Sequence, residues 1–211
     1  MAVGRIIKGP DCIAEGVAAL ALIDPRFGDA VAQMDAPIPL RLRDGGFETV
    51  LRAIVGQQVS VAAADAIWHK VENAGLTDPA TAKTATDEEY RAAGMSRQKT
   101  KYTRALAEAD VDFEYLATVP DAEVIRTLTQ ISGIGTWTAE IYAMFSLGRA
   151  DVFAHGDLAL QEGARMLLDL SERPKEKAMR EIAVDWSPWR SVAARILWAY
   201  YAHVKQREGV Q

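Results

Sequence analysis

Cysteine is almost absent. Cys12 is the single one in 211 residues, so within one chain a disulfide framework, a thiolate zinc site and a four-cysteine iron–sulfur cluster are all excluded. Long apolar runs are missing too. Stretches such as Gly16 to Ile23 fall well short of the roughly 20 residues that a membrane-spanning helix needs, and no basic-then-apolar leader opens the sequence. These absences predict an intracellular, cytoplasmic protein with no membrane partner. Positive charge is not in excess: 24 Lys and Arg stand against 29 Asp and Glu, a net charge of −5. Bulk attraction to a polyanion is thereby excluded, and any contact with nucleic acid must be local, made by a few cations and oriented backbone amides. Histidine is scarce, and neither His69 nor His203 falls in a ligand cluster, so no metal site is predicted.

Hydrophobic residues make up 49% and charged residues 25% of the chain, the balance of an ordinary globular protein. Single domains commonly run to about 100–200 residues, which predicts one domain or two closely packed lobes. Alternating strand patterns are nearly absent, whereas apolar residues recur at three- and four-residue spacing: Val50, Ile54 and Val55 in one stretch, Trp137, Ile141, Met144 and Phe145 in another. Punctuation cuts this pattern into helices. Thr86 with Glu89 has the form of a capping box, Gly94 ends that helix, Ser96 caps the next, and Ser187-Pro188 opens the last. The expectation is all-α, with nine or ten helices. Residues 1–36, ending at Asp35-Ala36, read as two lead helices around Asp24-Pro25, and residues 37–207 as the main domain. The mixed charges of Ser171 to Arg180 read as a solvated helix face.

The most informative stretch is Leu128-x-x-Ile131-x-Gly133-Ile134-Gly135-x-x-x-Ala139-x-x-Tyr142, a hairpin over about 128–142. One helix ends on two apolar residues, a Gly-apolar-Gly turn follows, and Ala139 lets the next helix pack closely. Glycine suits such a turn because a Cβ penalises some of its conformations, and because a ligand must reach the main chain. The amides of Gly133, Ile134, Gly135, Thr136 and Thr138, aided by the helix dipole, then form an anion site that fits a phosphate oxygen. A bare Gly-x-Gly would be only a tight turn between helices, but with Leu128, Ile131 and Ala139 at this spacing the pattern predicts a helix-hairpin-helix reader of DNA backbone, indifferent to sequence.

Beyond the hairpin runs Asp151-Val152-Phe153-Ala154-His155-Gly156-Asp157-Leu158, with Asp157 lying 22 residues past Gly135. Here the chain resembles the helix-hairpin-helix (HhH-GPD) glycosylase superfamily, and within it the 3-methyladenine DNA glycosylase II branch. Further motifs carry the resemblance in order: Asp24-Pro25-Arg26, Phe47 to Ser60, Gly94-Met95-Ser96, and Trp186-Ser187-Pro188-Trp189-Arg190-Ser191 with Trp198. The resemblance implies a two-lobed helical fold with a cleft between lobes, the lead helices packing on the C-terminal lobe. It implies a monomer that excises alkylated purines of the 3-methyladenine and 7-methylguanine type from double-stranded DNA.

Asp157 is the catalytic residue so implied. A purine alkylated at a ring nitrogen is already a good leaving group, so the sugar needs the help: an ionised carboxylate stabilises the oxocarbenium character that develops there and orients water. Asp157 also stands where it can cap the helix beginning near Leu158. Members that cut the strand carry a lysine after the Gly-x-Gly-Thr turn, whose amine forms a Schiff base. This chain has Trp137 there, which implies a monofunctional enzyme and an indole suited to a cationic base. Trp198 and Tyr142 are the other aromatics nominated for the base. Gln57 or Gln58, in Ile54-Val55-Gly56-Gln57-Gln58-Val59-Ser60, is expected to fill the gap left by a flipped base, although some relatives carry leucine where Gln58 stands. Ser96 to Arg104 holds four cations and no acid, a phosphate-contacting face or a solvated one. His155 reads as a loop histidine, in a segment where relatives often have a proline and this chain has Ala154. No organic cofactor is expected, and a monovalent cation on the hairpin carbonyls is compatible with the sequence. Two other readings stay open here: a non-catalytic clamp built on the same hairpin, and a glycosylase for a deaminated or oxidised purine.

Overall fold

The computed structural model describes residues 3–34 and 36–208. Asp35, next to last in the expected lead segment, lies outside the described residues. The described chain is helical, with one isolated antiparallel bridge, Ile6 to Arg149, and no strand. The helices are α1 (Pro10–Ile23), α2 (Pro25–Gln33), α3 (Phe47–Gly56), α4 (Val61–Asn73), α5 (Pro79–Thr84), α6 (Asp87–Ala92), α7 (Arg97–Glu108), α8 (Phe113–Thr118), α9 (Asp121–Thr129), α10 (Thr136–Phe145), α11 (Leu158–Leu167), α12 (Glu176–Ile182) and α13 (Arg190–Glu208), with a 3-10 turn at Ala183–Trp186. This exceeds the nine or ten read from periodicity. The surplus is helices of six or seven residues, α5, α8 and α12, whereas α6, equally short, shows itself by its capping box. Two turns are too short to display an apolar repeat.

Local chemistry starts α6 and α7 where the punctuation predicts, whereas α13 begins at Arg190, two residues past Pro188. Thr86 and Glu89 form a reciprocal capping box on α6, and the Ser96 hydroxyl accepts from Lys99 N–H at 3.3 Å to open α7. Asp24 closes α1 and caps α2 by accepting from Arg26 N–H at 3.0 Å, and the Arg26 guanidinium bonded to it holds its carboxyl below the usual range.

The chain divides into two compact units. In the first, Arg43–Tyr142, α3 packs on α4 and α7, and α7 on α5. Phe47, Val50, Leu51, Ile54 and Val55 are buried along α3, with Trp68 and Leu106 beside them in the core. In the second, which joins Gly4–Leu42 to the chain from Ala143 onward, α13 is the common element, packing on α1, α2 and α11. The division falls within α10, after Tyr142.

The second unit contains an unusually close helix approach. A Cβ placed on Gly163 of α11 would lie 2.7 Å from the Leu197 carbonyl oxygen of α13, and one on Gly16 of α1 would lie 2.7 Å from Val192 Cγ2. Only glycine lets α11 lie this near α13, and this nearness brings the start of α11 beside Trp198. Backbone oxygen cannot step aside as a flexible side chain can. Gly163→Ala should therefore destabilise the fold by about 1–3 kcal/mol, the cost of an overpacked core. In a thermal melt this reads as a drop of about 2–4 °C per kcal/mol; an unchanged melting temperature would show the approach to be loose.

Candidate active site

Asp157 stands at the head of α11. Its N–H donates to Ala154 O at 3.0 Å, which shapes the turn after Phe153, and its Oδ1 accepts from Leu160 N–H at 2.9 Å, which caps the helix. The same Oδ1 accepts from Trp198 Nε1–H at 3.2 Å. The carboxylate is half-buried, while Leu158 beside it is exposed. Two donors on one oxygen fix the rotamer. The capping role expected from the sequence is real.

Trp198 is half-buried, and its ring neighbours explain how it is held. The Phe145 ring lies 5.8 Å away and the Arg41 guanidinium 6.0 Å from the indole centroid. Behind Phe145 is Arg195, buried and 4.7 Å over that ring, donating to the carbonyls of Leu40 (3.1 Å), Ser191 (2.8 Å) and Met144 (3.3 Å). Burial, with the Arg41 charge adding to it, lowers the Arg195 pKa to about 10, so it stays cationic at neutral pH. The indole thus has a hydrogen-bonding task toward Asp157, which the sequence expectation of a base-stacking ring did not include. His155 packs its ring 5.1 Å from Phe153, and its carbonyl accepts from the Gln161 side chain at 3.0 Å.

The hairpin lies in the first unit. Gly133 adopts φ +93, and a Cβ there would lie 2.2 Å from Tyr102 Cγ, so both backbone and space demand glycine. Ile134 N–H donates to Ile131 O at 3.0 Å, which turns that amide inward, contrary to its expected place in the anion site. Gly135 O accepts from Ala139 N–H at 3.1 Å and so opens α10; Gly135, Thr136 and Trp137 are exposed there. Gly135 differs from Gly133: a Cβ there would meet nothing within 4 Å, and its φ is not left-handed.

The two faces of α10 separate the other nominees. Trp137, 46% exposed, sits on the outer face of the first turn. Thr138 (9%) and Tyr142 (4%) lie four residues apart on the inner face. The Tyr142 hydroxyl accepts from Gly46 N–H at 3.0 Å and its ring meets Phe113 at 5.8 Å; burial raises its pKa. Tyr142 is therefore a packing residue of its own unit, where the sequence reading placed it against the base, and the Thr138 side chain is buried on the same face.

Gln57 and Gln58, equivalent in the sequence, are not equivalent here. Gln57 Nε2 donates to Gly133 O at 3.0 Å, whereas Gln58 is exposed with φ +57. Val59 and Val61 beside it are exposed as well. The four-cation stretch is likewise divided. Lys99 is buried and donates to Val55 O at 2.7 Å, burial pushing its pKa down, and Arg104 is held by Ala85 O at 2.8 Å and Asp87 at 2.6 Å. Arg97 and Lys101 remain exposed, so a phosphate-contacting face is narrower than the sequence suggests. Among the described residues no group of three or more His, Cys, Asp or Glu could hold a metal ion. A cation on the hairpin carbonyls would compete with the donors already on Ile131 O and Gly133 O. Among the described residues no helix is long and apolar enough to cross a membrane.

The model of the HhH-GPD superfamily of base excision DNA repair proteins matches residues 51–188, from α3 through the hairpin and Asp157 to Pro188. This chain belongs to that superfamily. As an HhH-GPD protein it is 32% identical over 161 residues to DNA-3-methyladenine glycosylase 1 of Schizosaccharomyces pombe, covering 72% of this chain and 71% of that one. Its fold matches the crystal structure of a Bacillus halodurans DNA-3-methyladenine glycosidase with a TM-score of 0.81 at 32% identity, covering 96% and 94% of the two chains. A Schizosaccharomyces pombe 3-methyladenine DNA glycosylase solved with abasic DNA matches at a TM-score of 0.75 and 29% identity, over 87% of this chain and 95% of that one. The all-α HhH-GPD fold anticipated from the hairpin and the spaced motifs is the fold found.

The two hairpin glycines make a paired test of this geometry. Gly133→Ala should cost at least about 1 kcal/mol, because the new methyl meets the Tyr102 ring in a left-handed backbone. Gly135→Ala should stay within about 0.5 kcal/mol of wild type. Urea unfolding of both variants checks this; equal losses would contradict the division of roles.

Proposed function

We propose that this protein is a monofunctional DNA glycosylase that flips alkylated purines out of double-stranded DNA and hydrolyses their bond to deoxyribose. The observation that carries the reading is Asp157, a carboxylate whose rotamer is set by Leu160 N–H and Trp198 Nε1–H on a single oxygen. The names and abasic-DNA complex of the relatives support the same chemistry.

The reaction follows from the charges. An N-alkylated purine carries a positive charge, and as the C1′–N bond breaks its electron pair passes to the base, which leaves neutral. The positive charge moves to the sugar, where the fixed Asp157 carboxylate stabilises it; the geometry is prepared before the charge appears, which is how such a group accelerates a reaction. Water then adds to C1′ and loses a proton, leaving an abasic site. Trp137, exposed at the start of α10, stacks on the cationic base, and with no lysine in its place no Schiff base forms. Trp198 acts through Asp157 by donating its N–H. No cofactor enters the reaction, and one chain suffices for it.

DNA is held by the exposed start of α10, where Gly135 leaves space that nothing in its own unit uses. Gln58, on its left-handed backbone between exposed apolar neighbours, enters the duplex in place of the flipped base. The exposed aromatic at 137 also favours a cationic lesion over a neutral deaminated one, and the donor-fixed carboxylate favours an enzyme over a clamp.

Chromatography of bases released from methylated duplex DNA tests the assignment. Wild type should release 3-methyladenine and 7-methylguanine, leave the strand intact and give no borohydride-trapped complex. Asp157→Asn preserves size and capping capacity, so its melting temperature and DNA affinity should hold while single-turnover release falls by at least about 100-fold. Near wild-type release by the folded variant, or a trapped covalent complex with wild type, would overturn the mechanism.

A further inference from the structure

The first unit connects its two DNA-facing segments in a way the reaction does not require. Gln57, the residue before the exposed Gln58, donates its side-chain amide to Gly133 O, the left-handed glycine of the hairpin, at 3.0 Å across 76 residues of sequence. The same glycine has the Tyr102 ring of α7 against it, so closely that a Cβ would collide. One turn earlier on α7, buried Lys99 reaches Val55 O at 2.7 Å, one of the last carbonyls of α3, two residues before Gln57. A lysine at the C-terminal end of a helix satisfies orphan carbonyls and the negative end of the dipole. Helix α7 thus holds the end of α3 with one residue and the hairpin with another, and Gln57 bridges the two.

We propose that Gln57, with Lys99, is a positioning residue: the pair sets the register of the Gln58 probe on the phosphate-binding hairpin, so that anchoring on the backbone presents Gln58 at a fixed depth. Gln57 is then not a second wedge. Its amide acts inside the protein, and its effect on DNA passes through Gln58. A left-handed conformation at a non-glycine residue persists only where its surroundings over-determine it, and the tie to Gly133 and the Lys99 cap supply that constraint on either side of Gly56. The inference rests on the reading of the protein as a base-flipping glycosylase.

The test uses the full chain and a duplex carrying a tetrahydrofuran abasic site beside 2-aminopurine, whose fluorescence rises when its stack is opened. Four variants are compared: Gln57→Leu, which removes the donor at similar size, Gln58→Ala, the double variant, and Lys99→Met, which keeps the apolar stem without the ammonium. Gln57→Leu and Lys99→Met should keep affinity for undamaged duplex within about twofold, because the hairpin end is unchanged, while the fluorescence rise slows at least about fivefold. The double variant should be no slower than Gln58→Ala alone, since the two residues act in series. A wild-type fluorescence rise in folded Gln57→Leu and Lys99→Met, or a double variant as slow as the product of the single effects, would overturn the proposal. Failure of the underlying reading is separately visible: wild type itself would then neither unstack the probe nor release alkylated bases.

Discussion

The contact on which the proposed chemistry depends is the approach of α11 to the Leu197 carbonyl. With a hydrogen in place of a methyl at Gly163, α11 lies against the backbone of α13, and the next residue of α13 is Trp198, whose indole N–H reaches the carboxylate capping α11. A helix cap is ordinarily a local device, worth about 1 kcal/mol. Here the cap and the indole meet at one oxygen, which makes the cap a means of aiming a negative charge. Behind the indole, Phe145 and buried Arg195 form a supported wall, with Arg195 hydrogen-bonded to three backbone carbonyls in lieu of an acidic partner at those atoms. Charge, rotamer and ring are arranged before any substrate arrives, the condition under which electrostatic stabilisation of a transition state costs no reorganisation.

In the first unit the corresponding element is α7. Its side chains serve both ends of the proposed DNA-binding apparatus, buried Lys99 at the end of α3 and half-buried Tyr102 beneath Gly133. The acidity of the chain fits this economy of cations. A protein with net charge −5 gains little from long-range attraction to DNA; the proposed contacts use shape and uncharged amides, and two of the four cations on the α7 stretch are committed to internal acceptors.

Much of this was legible in the residues. The hairpin glycines, the spacing to Asp157 and the helix caps are local signals, each requiring a particular residue at a particular offset, and the superfamily and its all-α fold follow from them. Other features depend on backbone angles or distant partners that no local pattern encodes. Gln57 and Gln58 are the same residue type side by side, and a single left-handed φ sends one inward and the other out. Gly133 and Gly135 look alike in the turn, yet the first is demanded by Tyr102, 31 residues earlier in the chain, and the second by nothing within its own unit. The burial of Thr138 and Tyr142 left no such signal: they lie about 100° round α10 from Trp137 and Ile141, and the apolar repeat of Trp137, Ile141, Met144 and Phe145 points to that other face as the inward one. Lys99 left a weak one, since it shares the inward face of α7 with Thr103 and Leu106.

The central claim is that Asp157 acts by its charge on a cationic sugar, and binding to a mimic of that sugar measures it most directly. A duplex carrying a pyrrolidine abasic site, positively charged at neutral pH, resembles the transition state in charge, whereas tetrahydrofuran at the same position has the shape without it. The account predicts that wild type binds the pyrrolidine duplex at least about tenfold more tightly than the tetrahydrofuran duplex, and that Asp157→Asn erases this preference while leaving tetrahydrofuran affinity unchanged. Equal affinity of wild type for the two duplexes, or a preference that survives Asp157→Asn, would contradict it.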